Sequence, residues 1–447
     1  MPPTAIALFT RDLRLHDNPV LAAAATAEFV VPVFVRDTAL ASTGFLAAPR
    51  QRFLAACLSD LDRRLRAAGA TLVVRDGDLV AEVCRLAEQV DAAEVHIAAD
   101  VSAFAGRRTR RLADALAAQR RTLTCHDGVH TVHAPGALTP QGSDHFAVFT
   151  PYHRRWAAAP RRVVVPAPKR LRLPPTLSAP VVEVGEPGPG GETQGRRLAR
   201  QWLGDGIDAY HLRHDDLAGD GTSRLSPFLH FGCVSAVELA AEADSRHTEG
   251  ADAFVRQLAW RDFHHQVLAA RPEVAHRDYR PRGDAWRDDP QALAAWQEGR
   301  TGIPLVDAGM RQLLAENWMH NRARMITASF LTKTLYLDWR AGAAHFLRHL
   351  LDGDLANNNL NWQWVAGTGT DTRPNRVLNP LRQAQRFDPS GDYVRRWVPE
   401  LSTMHDPHQP WRLGSAALRQ LGYPPPIVDL DAARDRFQHA RQLRLDV

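Results

Sequence analysis

Cysteine and lysine are the scarce residues of this 447-residue chain. Its four cysteines, Cys57, Cys84, Cys125 and Cys233, lie far apart with no C-x-x-C among them. That spacing suggests neither a disulfide framework nor a thiolate metal site, and it points to a reducing compartment. Lysine occurs only as Lys169 and Lys333, so 53 of the 55 basic residues are arginine. The guanidinium fork suits phosphate, although GC-rich coding accounts for such uniformity at least as well. Long apolar runs are missing too. The longest candidate, Val20 to Val35, is broken by Glu28 and Pro32 and is too short to span a bilayer. Arg11, Asp12 and Arg14 follow the apolar run Ile6 to Phe9 too soon for a signal peptide. No membrane is expected as a partner, and the expected location is cytoplasmic. There is no G-x-S-x-G, and no Cys/His arrangement marks a nucleophile. His345 and His349 stand at i, i+4, and His126, His130 and His133 are also suitably spaced for a metal. However, no Glu follows His345 as in a zinc protease, and 20 histidines make chance pairs common. No metal is expected.

What is present is length enough for two or three domains with a buried core. The net charge of +5 admits a nucleic-acid partner without demanding one. The excess is local: residues 161–200 carry eight basic against three acidic groups, whereas 201–447 carry 29 against 31.

The first 130 residues alternate β-branched runs (Ile6 to Thr10, Phe29 to Val35, Thr71 to Val74, Val95 to Ala98) with helical patterns at Phe53 to Leu65 and Leu79 to Val90. This alternation predicts a parallel sheet covered on both faces, which binds ligands at the carboxyl ends of its strands. Between 160 and 195 there are eight prolines and the run Gly188 to Gly191, which is linker composition. Gly190 and Gly195 have phosphate-loop spacing, but Arg196 and Arg197 follow where Lys and Ser/Thr are needed. From 196 onward the pattern is helical almost throughout, with apolar faces at Leu313, Leu314, Trp318, Met325 and Phe330 and at Phe346, Leu347, Leu350 and Leu351. The expected division is an α/β domain at 1–132, a linker at 133–195 and an all-α domain at 196–447. Nine of the eleven tryptophans fall between 202 and 397.

Two polar stretches interrupt the helical region. Gly221-Thr222-Ser223-Arg224-Leu225-Ser226 offers a turn with three hydroxyls, suited to capping a helix or to binding phosphate at its N-terminus. Asp352-Gly353-Asp354, followed by Asn357-Asn358-Asn359 and Trp362-Gln363-Trp364, gathers donors and acceptors that are costly to bury without a polar ligand. Arg322 and Arg324, near Asn321, supply cations that a buried Asp could pair with.

In order along the chain stand Thr10-Arg-Asp-Leu-Arg-Leu-His-Asp-Asn18, Thr222-Ser-Arg-Leu-Ser-Pro227, Trp260-Arg-Asp-Phe263, Trp318-Met-His-Asn-Arg322, Asp352-Gly-Asp354 and Trp362-Gln-Trp364. Together these segments resemble the signatures of the DNA photolyase/cryptochrome family, and the match covers nearly the whole chain. The nearest type is a class I cyclobutane-pyrimidine-dimer photolyase with a deazaflavin antenna. The resemblance implies a Rossmann-like α/β antenna domain and a large all-α FAD-binding domain. The implied reaction is light-dependent repair of cyclobutane pyrimidine dimers in ultraviolet-damaged DNA, a carbon–carbon lyase reaction driven by electron transfer from excited, reduced FAD to a flipped-out dimer.

By matching motifs, Tyr210, Thr222, Ser223, Arg224, Leu225, Ser226, Arg261, Arg324, Asp352, Gly353 and Asp354 would hold FAD, with Asn358 facing flavin N5. Trp260 and Trp364 would wall the lesion pocket. Asn321, Met325 and Gln257 would contact the pyrimidines, and Arg322, Arg376 and Gln383 the DNA backbone. Trp286, Trp339 and Trp362 match an electron relay to the flavin. Gln257 departs from the commonest dimer-photolyase pattern, which places Glu there. The (6-4) photolyases also carry Gln at this place but usually have His where this chain has Asn321 and Met325, so cyclobutane dimers are favoured. Phe34, Arg50 and Asp100 are similar to positions lining an 8-hydroxy-5-deazaflavin antenna site. A folate antenna is disfavoured because Ala105 and Gly106 stand where an Asn-Glu pair would contact it. The alternative within the family is a cryptochrome that signals with the same FAD. The chain's end at Val447 after the helical pattern Leu430 to Arg441 favours the enzyme. A monomer is expected.

Overall fold

The apolar runs of the N-terminal region form one five-stranded sheet, all parallel, in the order β3-β2-β1-β4-β5. The strands are β1 (Thr4–Phe9), β2 (Phe29–Asp37), β3 (Val73–Gly77), β4 (Glu94–Ala98) and β5 (Thr122–His126). The structure is a computed structural model that describes residues 3–177 and 188–442. Residues 178–187 of the expected linker, and 443–447 of the expected helical domain, lie outside the described residues.

The central strand β1 is buried at every position, as a continuous apolar run at the middle of a covered parallel sheet should be. Pro32 is tolerated inside β2 for a positional reason. Pairing with β3 begins only at Val33, and Val30, two residues earlier and pointing the same way, donates its N–H to Arg172 O rather than to a strand. The missing proline N–H therefore leaves no gap in the ladder. Helices Ala48–Ala67, Leu79–Gln89 and Ala103–Ala118 cover the sheet between the strands. The first two match the spacing of their apolar residues. Strand β5 was not expected. It is a short, half-exposed edge strand, Thr-Leu-Thr-Cys-His, with no apolar run to announce it.

Two compact units divide the chain: Met1–His211 with Ser223–Pro272, and Leu212–Thr222 with Glu273–Val447. The first adds to the sheet the helices Phe149–Ala158, Glu192–Gln201 and Glu249–Ala270. The second is helical. Its core is built from Pro304–Glu316, Asn321–Ser329, Trp339–His349, Leu355–Ala366 and Leu430–Gln442, with a π-helical turn at Phe330–Thr334. Trp296, Trp339, Phe330, Phe346 and Trp362 fill that core. Leu314 does not join it. Expected on an apolar face, it is an exposed large hydrophobic, because helix Pro304–Glu316 turns Leu313 rather than Leu314 inward. No helix among the described residues is long and apolar enough to cross a membrane.

Candidate active site

In the first unit the segment Thr10 to Asn18 is an internal knot of hydrogen bonds. Asp12 accepts from Thr10 N–H at 2.8 Å, and Asn18 donates to Asp12 O and Arg14 O while capping helix Pro19–Ala24. The fully buried Arg14 donates to the carbonyls of Asp17, Val129 and Gly232. Its charge thus satisfies backbone of its own segment and of two distant stretches, as burial of a guanidinium requires. Asp262 behaves alike. It accepts from Val132 N–H, His133 N–H and Trp156 Nε1 at 2.9 to 3.1 Å, while burial pushes its carboxyl above the ordinary range. These signature residues build the scaffold, a role the motif alone did not reveal.

Helix Glu249–Ala270 carries Gln257, Trp260 and Arg261 at i, i+3 and i+4, one face of the helix. Gln257 is exposed. Half-buried Trp260 stacks one face on Phe149, with centroids 3.6 Å apart and planes 6° from parallel, so a single indole face remains for a ligand. Arg261 donates to His130 O and to Leu229 O. Buried Tyr210 stands edge-on to Trp202 and Phe254. Ser223 Oγ accepts from Leu225 N–H at 3.3 Å, and Ser226 opens the short helix Ser226–His230. Arg224 has φ +50°, a left-handed turn that non-glycine residues seldom adopt.

Beyond the carboxyl ends of β4 and β5 lies a cleft of about 430 Å³ lined by Asp100, Arg107, Arg110, His130 and Thr131, among others. Both ring nitrogens of His130 and the Thr131 hydroxyl are buried without a hydrogen-bond partner among the described residues, and desolvation holds the imidazole well below its usual pKa. The structure brings Asp100 to this cleft, where it pairs with Arg11. Phe34 and Arg50 are not among its lining residues. Arg50 is fully buried and donates to Phe45 O.

In the second unit Asp352, Gly353 and Asp354 form a tight turn into helix Leu355–Ala366, with Asp354 N–H donating to Asp352 O. Asp354 caps that helix, accepting from Asn357 N–H at 2.9 Å and from the Asn357 amide at 2.8 Å. Arg324 reaches Asp352 at 2.9 Å and Met319 O at 2.8 Å; the Asp352 side chain is only 5% exposed. Asn358 Nδ2 donates to Ala343 O and Asn359 Oδ1. Asn359 and Gln363, one turn apart, bond Ala275 O, Val274 O, Arg277 O and Tyr279 N–H, fixing the helix to segment 274–279. The sequence marks both as polar groups in need of partners but does not name those partners, which lie more than eighty residues away.

Trp362 is buried and Trp364 half-buried, two residues apart on one helix and on different faces. Gly342 makes room for Trp362: a Cβ there would run into the indole ring. Trp339 opens helix Trp339–His349, donates Nε1–H to Asp278 at 2.8 Å and lies under the Arg340 guanidinium. Trp286, half-buried, contacts Tyr336 at 5.2 Å. Arg322 forms a fork to both oxygens of Asp215 at 2.7 and 2.8 Å and sits over Phe387. Arg376 is exposed and lies over Trp364 at 5.0 Å. Exposed Asn321 and half-buried Met325 share helix Asn321–Ser329, and Gln383 is on helix Pro380–Phe387. The Thr222 hydroxyl is buried with no hydrogen-bond partner among the described residues.

A family model described as DNA photolyase matches residues 5–171, and one described as the FAD binding domain of DNA photolyase matches 254–442. A deoxyribodipyrimidine photo-lyase of Streptomyces griseus is 57% identical over 451 residues, covering 98% of this chain and 99% of the relative. The chain belongs to the DNA photolyase family. Among solved structures, a bacterial class III photolyase from Agrobacterium tumefaciens superimposes with a TM-score of 0.92 at 32% identity, covering 100% of this chain and 98% of that one. An archaeal photolyase from Sulfolobus tokodaii, described with two FAD molecules, does so at 0.84 and 29%, covering 98% and 99%. Photolyase architecture thus extends over both units.

Proposed function

We propose that the chain repairs cyclobutane pyrimidine dimers in ultraviolet-damaged DNA under blue light, with reduced FAD as cofactor. The near-full-length relationship to a deoxyribodipyrimidine photo-lyase carries this reading. When bound, reduced FAD would supply the excited-state electron for opening the dimer ring. The protein's part is binding, orientation and tuning.

In the first unit Tyr210, Ser223, Arg224, Leu225, Ser226 and Arg261 are assigned to the cofactor; in the second, Thr222, Arg324, Asp352, Gly353, Asp354 and Asn358. The orphaned Thr222 hydroxyl fits a phosphate oxygen. Asn358 has its amide N–H groups engaged by Ala343 O and Asn359 Oδ1, so the group it offers a ligand is its carbonyl oxygen, an acceptor for a ring N–H. Gln257, Trp260, Asn321, Met325 and Trp364 are assigned to the flipped dinucleotide, and Arg322, Arg376 and Gln383 to the DNA backbone. Trp362, Trp339 and Trp286 are assigned to the relay that re-reduces the cofactor. The absence of His at 321 and 325 supports cyclobutane dimers over the (6-4) lesion.

For the antenna, the unpartnered His130 and Thr131 in the cleft at Asp100 support a bound pigment, with 8-hydroxy-5-deazaflavin as the leading candidate over folate. The working division is an antenna domain at 1–132, a linker at 133–195 and a catalytic domain at 196–447, acting as a cytoplasmic monomer. The deciding experiment reduces the purified protein, illuminates it with an oligonucleotide carrying a defined cyclobutane thymine dimer and measures restored thymines. Light-dependent restoration is expected; none, with the flavin reduced, overturns the reading.

A further inference from the structure

Lys333, one of two lysines in the chain, is only 2% exposed. It lies in the π-helical turn Phe330–Thr334, a widened turn that displaces its side chain from the ordinary helical path. The ammonium donates to Pro374 O at 2.9 Å and Arg376 O at 2.6 Å, and the Phe437 ring lies 5.7 Å from it. Ser329, fully buried one turn earlier, accepts from Leu378 N–H at 3.1 Å. Two buried side chains of one helical stretch thus hold the loop that leaves the Trp364-bearing helix.

The loop is tight in its own right. Gly367 has φ +81°, and a Cβ there would strike Pro374 O, one of the two carbonyls that Lys333 binds. From this loop Arg376 places its guanidinium over Trp364. Burying an ammonium is expensive unless its donors are matched, so a lysine held against these two carbonyls calls for a reason. A purely packing role would be met by Leu or Met.

We propose that Lys333 is a positioning residue for DNA binding: it clamps loop 371–379 so that Arg376 stands over Trp364 at the mouth of the lesion site. The inference rests on the reading of Arg376 and Trp364 as nucleic-acid contacts. Burial lowers the Lys333 pKa to about 7, with Arg441 and Arg376 depressing it further and Asp371 and Asp284 opposing. The clamp therefore loses its charge as pH rises through neutrality. Arg441 is itself tied to Asp284 at 2.9 Å and to Ala366 O, so its charge stays fixed meanwhile.

The test measures dark affinity for a dimer-containing oligonucleotide, and backbone hydrogen exchange, in the full-length holoprotein. Lys333→Met and Arg376→Ala should each weaken binding about tenfold, as expected when a single phosphate-binding cation is removed or misplaced. The double variant should be no worse than either alone, and Lys333→Arg should retain most of the affinity. Wild-type affinity should fall between pH 6 and pH 8 (roughly one unit either side of the Lys333 pKa) more than that of Lys333→Met. Exchange at 371–379 should speed up in Lys333→Met while the helices keep their protection. Losses that multiply in the double variant, a pH profile unaltered by Lys333→Met, or unchanged exchange in the loop would each overturn the proposal. If Arg376→Ala binds normally, the reading of Arg376 as a DNA contact fails instead, and loop exchange still decides the role of Lys333.

Discussion

Single side chains carry the sharpest consequences. The Arg324–Asp352 pair is short, with a buried carboxylate and a partly exposed guanidinium that also holds Met319 O. Asp352→Asn should cost about 1.5 to 3 kcal/mol of stability, the range for losing a hydrogen bond between charged groups. Urea denaturation of the flavin-loaded protein checks this. Arg324→Met in the same background should recover part of the loss, and a fully additive double variant would contradict the pairing. Trp260 has one face occupied by Phe149 and one available. Trp260→Ala should weaken lesion binding by about 1 to 3 kcal/mol, the range for a base stacked on an aromatic ring. Unchanged affinity removes Trp260 from the pocket. At this scale the sequence was readable where donors and acceptors crowd together, as from Asp352 to Asn359, whose carboxylates and amides find partners. It was mute on what Arg14, Asp262, Asn359 and Gln363 would bind. Their partners are backbone groups of remote segments, and no local pattern encodes a contact made only after the chain has folded.

At the scale of elements, helix Leu355–Ala366 concentrates the candidate chemistry: cap, amide, relay tryptophan and pocket tryptophan in fewer than four turns. Its dense polarity was legible as a group needing partners, and its start at Asp354 follows from ordinary capping chemistry. Trp362 and Trp364 stand two positions apart, and their different surroundings follow directly from the 3.6-residue period: one enters the core behind Gly342 while the other meets Arg376. The edge strand β5 was missed for the complementary reason, since a short polar strand has no period to detect. Trp286 marks the half-buried end of the proposed relay, in contact with Tyr336. Trp286→Phe should slow photoreduction of the oxidised flavin while leaving dark binding of the lesion intact. Flash photolysis with an external reductant checks it, and an undiminished rate would exclude Trp286 as a relay member.

For the molecule as a whole, net charge turned out to be a poor guide and local burial a better one. Of the arginines proposed as DNA contacts, Arg322 is already paired with Asp215, so its positive charge is partly balanced, whereas Arg376 stays exposed. Global behaviour is instead set by buried titratable groups. Desolvation lowers His345 to about 3, with His349 and Arg348 reinforcing it, and His320 to about 4, where Asp215 opposes and Arg322 and Arg324 reinforce the shift. Below the ordinary histidine pKa the unfolded chain takes up protons that these two rings refuse in the folded state, so their contribution to stability is lost as pH falls from about 6.5 toward 4. Asp262 and Asp307 work in the opposite sense, because burial raises their carboxyls and the folded state accepts protons first. The wild-type profile is therefore a difference of terms, and the informative measurement is a comparison. His345→Gln removes one of the refusing rings, so its stability should fall less steeply between pH 6 and pH 4, by about 1.4 kcal/mol per pH unit at full effect. Denaturation midpoints at pH 4, 5 and 6 for the two proteins decide the matter. Curves that remain parallel would mean that His345 titrates normally in the folded chain, and that its place beside Trp296 and His349 does not exclude the proton.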